Sequence, residues 1–95
     1  MYFHLSIHYP KPEKEHLLIE SMHKFGAAMK GKKGLIMAHT TKEEDSDRLL
    51  GIAIWDSKES WLEARPAMIE AVKDDPFEDW EEKPPEVFHM NDIEY

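Results

Sequence analysis

The sequence predicts an α+β fold of the ferredoxin-like class, βαββαβ, with a four-stranded antiparallel sheet and both helices on one of its faces. Its length of 95 residues suits a single domain, residues 1–95. Apolar periodicity follows the order strand, helix, strand, strand, helix, strand. The two βαβ halves, residues 1–41 and 48–93, interleave into one sheet with the strand order 4-1-3-2.

The first strand is predicted at residues 2–9, where apolar and more polar side chains alternate. A period of two is typical of a strand that presents different residues on its two faces. One face carries Phe3, Leu5, Ile7 and Tyr9. The other face carries Tyr2, His4, Ser6 and His8. Pro10 and Pro12 end this strand.

The first helix is predicted from Glu13 to about Lys30, because apolar residues recur there at spacings of three and four. The stripe consists of Leu18, Met22, Phe25 and Met29. Gly31 and Gly34 indicate the helix end and the turn after it. A second strand, Leu35 to Thr41, follows and is apolar at adjacent positions.

The third strand, Leu49 to Trp55, is the most apolar segment and is predicted to be central and buried on both faces. Gly51 and Ala53 fall on one of these faces, and their small size leaves room for either a helix side chain or a ligand. Asp56 follows as the predicted cap of the second helix, with Glu59 completing a capping box.

The second helix, Ser57–Asp74, contains Pro66, which predicts either a kink or a break with a new helix starting at the proline. The acidic residues after this helix are expected to form a solvated surface. Within them, residues 76–80 are expected to form one helical turn that packs Phe77 and Trp80 against the body. The last strand is predicted from Val87 to about Ile93.

Composition excludes several classes of function. Acidic residues outnumber Lys and Arg by 20 to 12, giving a net charge of −8, so no nucleic acid partner is expected. The chain has no cysteine, which excludes disulfides and thiolate chemistry. The first residues do not resemble a signal peptide, and no apolar stretch approaches the roughly 20 residues of a membrane span. A cytoplasmic protein without membrane contact is therefore expected.

A homodimer is the expected assembly. The helices cover only one face of the predicted sheet, whereas the second and third strands are apolar on both faces. A second copy packed face to face would remove the bare apolar face from water.

The segment Gly51–Trp61 resembles part of the antibiotic biosynthesis monooxygenase (ABM) family, in which an apolar strand ending in Trp passes into a Ser-Lys and aromatic helix start. Length and element order are similar over most of the chain. The resemblance implies a dimeric α+β barrel with a pocket in each subunit between helices and sheet. It also implies oxygen chemistry on an aromatic or quinone-like substrate, often with neither metal nor organic cofactor, so none is predicted. The haem-degrading branch of the family is not matched, because the first strand lacks Asn and Ser57–Asp74 lacks His.

The candidate catalytic residues are His8 and His89. A symmetric pairing of the first and last strands would bring them together as a general base or a carboxylate-binding pair, although both also suit ordinary polar positions. No metal site is predicted, since His4 and His8 would be about 13 Å apart along a strand. No Ser-His-acid order in the sequence suggests a nucleophilic site.

The candidate substrate-binding residues are Trp61, Met68 and Arg65. Trp61 could line an aromatic pocket or pack in the core. Arg65 could hold an anionic group or pair with the acidic segment that follows the helix. Trp55 is expected to be a core residue. Two functions stay open: a cofactor-independent monooxygenase-like enzyme, or a non-enzymatic homodimeric module that binds a small hydrophobic molecule or has a structural role.

Overall fold

The computed structural model describes residues 1–93 and consists of a four-stranded antiparallel sheet with two long helices on one face. The predicted βαββαβ order is confirmed. The elements are β1 (Tyr2–His8), a 3-10 turn (Pro12–Lys14), α1 (Glu15–Met29), β2 (Leu35–Lys42), β3 (Leu49–Trp55), α2 (Lys58–Val72), α3 (Phe77–Trp80) and β4 (Glu86–Asn91).

The sheet has the order β2-β3-β1-β4, which is the predicted order. β1 lies between β3 and β4 and pairs antiparallel with both. Tyr2, for example, lies opposite Trp55 on one side and Asn91 on the other. Each residue from Tyr2 to Ile7 therefore has a paired residue on both sides, whereas His8 is paired only with Leu49 of β3.

The two faces of β1 carry the two sets of side chains that the alternation predicts. Tyr2, His4, Ser6 and His8 point towards the helices, where Tyr2 joins the core and the other three line a cavity. The apolar set points away from the helices. Because paired residues share a face, the uncovered side of the sheet is largely apolar: Phe3, Leu5, Ile7, Leu50, Ile52, Ile54, Phe88 and Met90.

Two apolar clusters hold the helices on the sheet. The larger contains Trp55, whose exposure is 0%, together with Tyr2, Met29, Ala53, Ala64 and Met68. The smaller contains Leu18, Met22 and Leu49, against which Phe77 and Trp80 of α3 pack. Trp55 is thus a core residue and α3 packs against the body, as predicted. The α1 stripe is buried as predicted, with Phe25 partly buried at its edge.

The cap of α2 is Ser57 and not the predicted Asp56. The Ser57 side chain accepts a hydrogen bond from the Ser60 backbone N–H at 3.2 Å. Asp56 is held outside the helix, because its own N–H donates to the Gly34 carbonyl at 2.8 Å. Its carboxylate instead accepts the Ser60 hydroxyl at 2.6 Å, which lowers the pKa of Asp56 below its ordinary value.

α2 runs without a break through Pro66, so the second of the two predicted alternatives, a break with a new helix starting at the proline, is wrong. A proline removes the hydrogen bond to the carbonyl four residues earlier, which here belongs to Leu62. Leu62 and Pro66 are both exposed, so water can satisfy that carbonyl. β4 ends at Asn91 and not at Ile93. None of the helices within residues 1–93 is long and apolar enough to cross a membrane.

Candidate functional site

A cavity of about 670 Å³ lies between α1 and the sheet. Its floor consists of residues with little or no side chain, Ala38, Gly51 and Ala53, and Gly26 faces it from α1. The space that Gly51 and Ala53 were predicted to leave is therefore open to a ligand. Its walls are mainly apolar, with Met22, Phe25 and Met29 among them.

Three polar side chains of β1, those of His4, Ser6 and His8, enter this apolar cavity. They alternate with Phe3, Leu5 and Ile7, which point to the other side of the sheet. Because β1 is a central strand, its polar side chains lie in the interior of the protein and not at an edge of the sheet. They are therefore placed to orient a ligand within a mostly apolar pocket.

His4 is the most perturbed ionisable group of the site. Its ring lies 5.0 Å from that of His89, 6.1 Å from that of Trp61 and 6.3 Å from that of Phe25, measured between centroids. Burial, followed by the nearby imidazoles of His89 and His8, lowers the pKa of His4 from 6.5 to about 4. His4 is therefore uncharged at neutral pH and offers one N–H donor and one nitrogen acceptor.

A smaller cavity of about 210 Å³ brings together four of the five predicted site residues, Trp61, Arg65, Met68 and His89. His4 and Phe25 line both cavities. The Trp61 ring stands edge-on to His89 with centroids 4.7 Å apart, and its indole Nε1 is buried with no hydrogen-bond partner within residues 1–93.

Arg65 does not pair with the acidic segment as one alternative predicted. Its guanidinium carbon lies 5.8 Å from the centroid of the Trp61 ring, a cation–π contact. None of the ion pairs found in the described part of the chain involves Arg65. Its charge is thus available at the mouth of the smaller cavity.

The predicted pairing of His8 with His89 is wrong. His89 lies opposite His4, four residues away from His8 along β1. β4 starts at Glu86, opposite Ile7, because Pro84 and Pro85 precede it and cannot donate backbone hydrogen bonds to a ladder. His8 therefore lies beyond the end of the β1–β4 ladder.

His8 is instead bound between a serine and a buried carboxylate. Its Nε2 lies 3.1 Å from Ser6 Oγ, and its Nδ1 lies 3.3 Å from Glu81 Oε2. The Glu81 side chain is 2% exposed, and its other oxygen accepts the Tyr9 N–H at 3.0 Å. The acidic segment is therefore not wholly solvated. Ser6, His8 and Glu81 form a chain of hydrogen bonds that was not predicted.

The sequence contained part of the signal for this chain. Ser6 and His8 are two residues apart on one face of a predicted strand, so their proximity follows from the alternation. Glu81 lies 73 residues from His8, and it looks like its solvated neighbours Glu78, Asp79 and Glu82. Within the described residues, no three His, Asp or Glu side chains are grouped so that they could hold a metal ion.

Solved structures with this fold are similar over nearly the whole chain. Rv0793 from Mycobacterium tuberculosis has a TM-score of 0.84 at 12% identity, covering 99% of this chain and 96% of its own. A conserved protein from Methanosarcina mazei Go1 has a TM-score of 0.84 at 14% identity, covering 97% and 92%. A candidate antibiotic biosynthesis monooxygenase from Nitrosomonas europaea has a TM-score of 0.76 at 12% identity, covering 99% and 100%.

The chain therefore has the ABM-like fold that the sequence predicted. At these identities the likeness is one of fold. No protein-family model matches the sequence, and no curated protein is significantly similar to it.

Proposed function

We propose that the protein binds a small aromatic or quinone-like molecule in the larger cavity and oxidises it with O2 as a cofactor-independent monooxygenase. The observation that carries this proposal is a cavity of about 670 Å³ with imidazoles entering a mainly apolar wall. Its size and character suit a fused aromatic ligand. The monooxygenase names of proteins with the same fold support the reaction class.

Such chemistry requires the substrate to supply the electrons. The overall balance converts one CH2 group and O2 into a carbonyl group and water. Removal of a proton makes the substrate rich enough in electrons to reduce O2, so the site needs a base and protection from bulk water. The apolar walls supply the protection.

The imidazoles have different roles in this proposal. His4, uncharged because its pKa is lowered to about 4, is a weak base but a good hydrogen-bonding partner for a ligand oxygen. His8 is the proton acceptor, because Glu81 would stabilise the imidazolium that forms. His89, next to His4 and away from His8, belongs to the second subsite.

Trp61, Met68 and Arg65 form that second subsite with His89. An aromatic ring there would stack on Trp61, while the Arg65 guanidinium is placed for an anionic substituent. Met68 is 1% exposed and forms the base of this subsite. Because His4 lines both cavities, the second subsite lies directly beside the larger cavity.

A homodimer is part of the proposal. The side of the sheet without helices carries Phe3, Leu5, Ile52, Ile54 and their neighbours, with Phe88 42% exposed. A contiguous apolar surface of this kind is typical of a protein interface. A second copy of the chain would cover it with a matching apolar face.

Gly26 offers a way to test the cavity without damaging the fold. A Cβ at Gly26 would have no atom within 4 Å, and the residue lies inside α1, in the last turn of the helix. Gly26→Leu fills part of the cavity and gains up to about 1 kcal/mol of helix propensity. Gly26→Ala gains similar stability while leaving most of the space open.

The experiment uses an anthrone as probe, because its central ring carries the CH2 group that the proposed reaction converts into a carbonyl group. Binding is followed by tryptophan fluorescence and turnover by O2 uptake. Wild type and Gly26→Ala are expected to bind and to consume O2, and Gly26→Leu is expected to lose both while remaining folded. Equal O2 uptake in wild type and Gly26→Leu would contradict the proposal. Binding without O2 uptake would instead support the alternative, a non-enzymatic homodimeric binding module.

A further inference from the structure

We propose that Ser6, His8 and Glu81 form a nucleophilic unit that transfers the acyl group of an aryl ester to Ser6 and then to water. This activity is separate from oxygen chemistry and does not depend on it. Three observations carry it: the order of the hydrogen bonds, the fixed carboxylate, and the opening of Ser6 onto the cavity.

The hydrogen bonds run in the order that activates a serine. A carboxylate can only accept hydrogen bonds, so Glu81 Oε2 accepts one from the N–H of His8 Nδ1 at 3.3 Å, and the proton stays on Nδ1. That tautomer leaves a lone pair on Nε2, which lies 3.1 Å from Ser6 Oγ and can accept its hydroxyl proton. Serine, base and orienting carboxylate thus have the mutual geometry of the serine-hydrolase triads.

Glu81 is fixed by its surroundings. Its second carboxylate oxygen accepts the Tyr9 N–H at 3.0 Å. The backbone on either side is also bound: the Glu82 N–H donates to the Tyr9 carbonyl at 2.8 Å, and the Lys11 N–H donates to that of Trp80 at 2.9 Å. The carboxylate can therefore hold the His8 ring in one orientation.

Gly51 keeps the Ser6 hydroxyl accessible from the cavity. Ser6 and Gly51 are opposite each other in the sheet, and a Cβ at Gly51 would lie only 2.8 Å from Ser6 Oγ. Thr40 lies opposite Gly51 on its other side, and its side chain lines the same cavity. A carbonyl group above Gly51 would therefore have the nucleophile on one side and a hydroxyl donor on the other.

The reaction needs no further reactant than water. Ser6 Oγ attacks the ester carbonyl carbon while its proton moves to His8 Nε2, and the bond to the aryl oxygen then breaks. The departing aryl oxygen receives the proton from His8 and leaves as the phenol, and the acyl group remains on Ser6. Water, deprotonated by His8, then releases the carboxylic acid and restores the serine hydroxyl. An aryl leaving group fits the apolar wall around Phe25.

The test measures serine reactivity under nitrogen, so that it is independent of any oxygenase activity. The protein is treated with an alkyl fluorophosphonate and followed by intact mass and peptide mapping, and hydrolysis of 4-nitrophenyl butyrate is measured in parallel. Wild type is expected to gain one adduct, on Ser6. Ser6→Ala is expected to gain none, and His8→Gln to react at least about 100-fold more slowly.

Ser46 provides the control. It lies in the turn between β2 and β3, lines neither cavity, and accepts the Arg48 N–H at 3.1 Å, with no histidine as partner. Ser46→Ala is expected to be labelled like wild type. Circular dichroism verifies that each variant is folded.

Glu81 is a positioning residue and is tested by Glu81→Gln. Glutamine can still accept the Tyr9 N–H, but its amide N–H towards His8 favours the tautomer that cannot take the serine proton. Labelling is expected to slow by roughly two orders of magnitude, and kcat for 4-nitrophenyl butyrate is expected to fall while KM changes little. Absence of a Ser6 adduct in wild type, or an adduct formed equally fast in His8→Gln, would overturn the proposal.

Discussion

His4 lies directly opposite His89 in the β1–β4 ladder, with ring centroids 5.0 Å apart. Two imidazoles at this separation disfavour protonation of each other, and burial adds to the effect. The lowered pKa of His4, about 4, makes the folded state sensitive to acid.

Stability is expected to decrease as the pH falls from 6.5 to about 4. In this range the unfolded chain binds a proton at His4 that the folded chain does not, because the folded pKa is the lower one. Above pH 6.5 His4 is uncharged in both states, so its protonation costs the folded state no stability. Urea unfolding at about pH 7 and about pH 4.5 measures how much unfolding free energy is lost between these two pH values. After allowance for the partial exposure of His4, this loss should be about 2 kcal/mol greater in wild type than in His4→Gln.

His23→Gln is the control for that measurement, because His23 is exposed on α1. It should retain the wild-type dependence on pH. A His4→Gln protein with the same dependence would show that His4 is protonated in the folded state at pH 4.5.

Trp55→Ala is expected to cost about 3–5 kcal/mol of unfolding free energy, as is usual for a fully buried aromatic residue. Trp55→Phe should cost less than half as much, because the indole Nε1 has no hydrogen-bond partner within residues 1–93 and the phenyl ring retains most of the contacts. Urea unfolding of both variants measures the difference. Equal costs would mean that the indole nitrogen contributes to stability.

Gly34→Ala is expected to be far more destabilising than Gly31→Ala. Both glycines have positive φ, +88° and +78°, where a Cβ costs about 1–2 kcal/mol. A Cβ at Gly34 would also overlap the side chains of Ser60 and Asp56, whereas one at Gly31 would have open space around it. Thermal unfolding should show at least about twice the decrease in Tm for Gly34→Ala. Similar decreases would mean that the α2 cap moves aside freely.

Ile52→Lys is expected to convert a dimer into a monomer. Ile52 lies opposite Leu5 and His39 in the middle of the sheet, and its side chain is on the face without helices. A lysine there would place a charge in the proposed interface. Light scattering after size exclusion should give about twice the chain mass of 11.2 kDa for wild type and the single mass for the variant.

Glu20→Lys changes charge on the outer side of α1 and should leave the assembly unchanged. A wild-type protein that elutes as a monomer at every concentration would contradict the proposed interface.

The sequence predicted the topology because each element has a clear period. The stripe from Leu18 to Met29 and the alternation in β1 each reflect a single buried face, and burial enforces them. The β1–β4 register could not be read in this way. It depends on where Pro84 and Pro85 allow β4 to begin, and a four-residue shift preserves the same alternation.

The site was predicted in part for the same reason. Trp61, Arg65 and Met68 share one side of α2, so helical spacing was enough to group them. The role of Glu81 depends on a contact with a residue 73 positions away, and nothing local distinguishes it from the other acids nearby. The position of His4 between two cavities likewise follows from three-dimensional packing.

The central position of β1 has a consequence for the rate of folding. Its seven residues all pair with β3, about 50 residues further along the chain, and six of them pair with β4, as much as about 90 residues away. Loops of this length must close before either ladder gains stability, and such distant pairing slows folding relative to a helical bundle of equal size. The strand that delivers His4, Ser6 and His8 to the cavity therefore acquires its partners only when most of the chain has already been brought together.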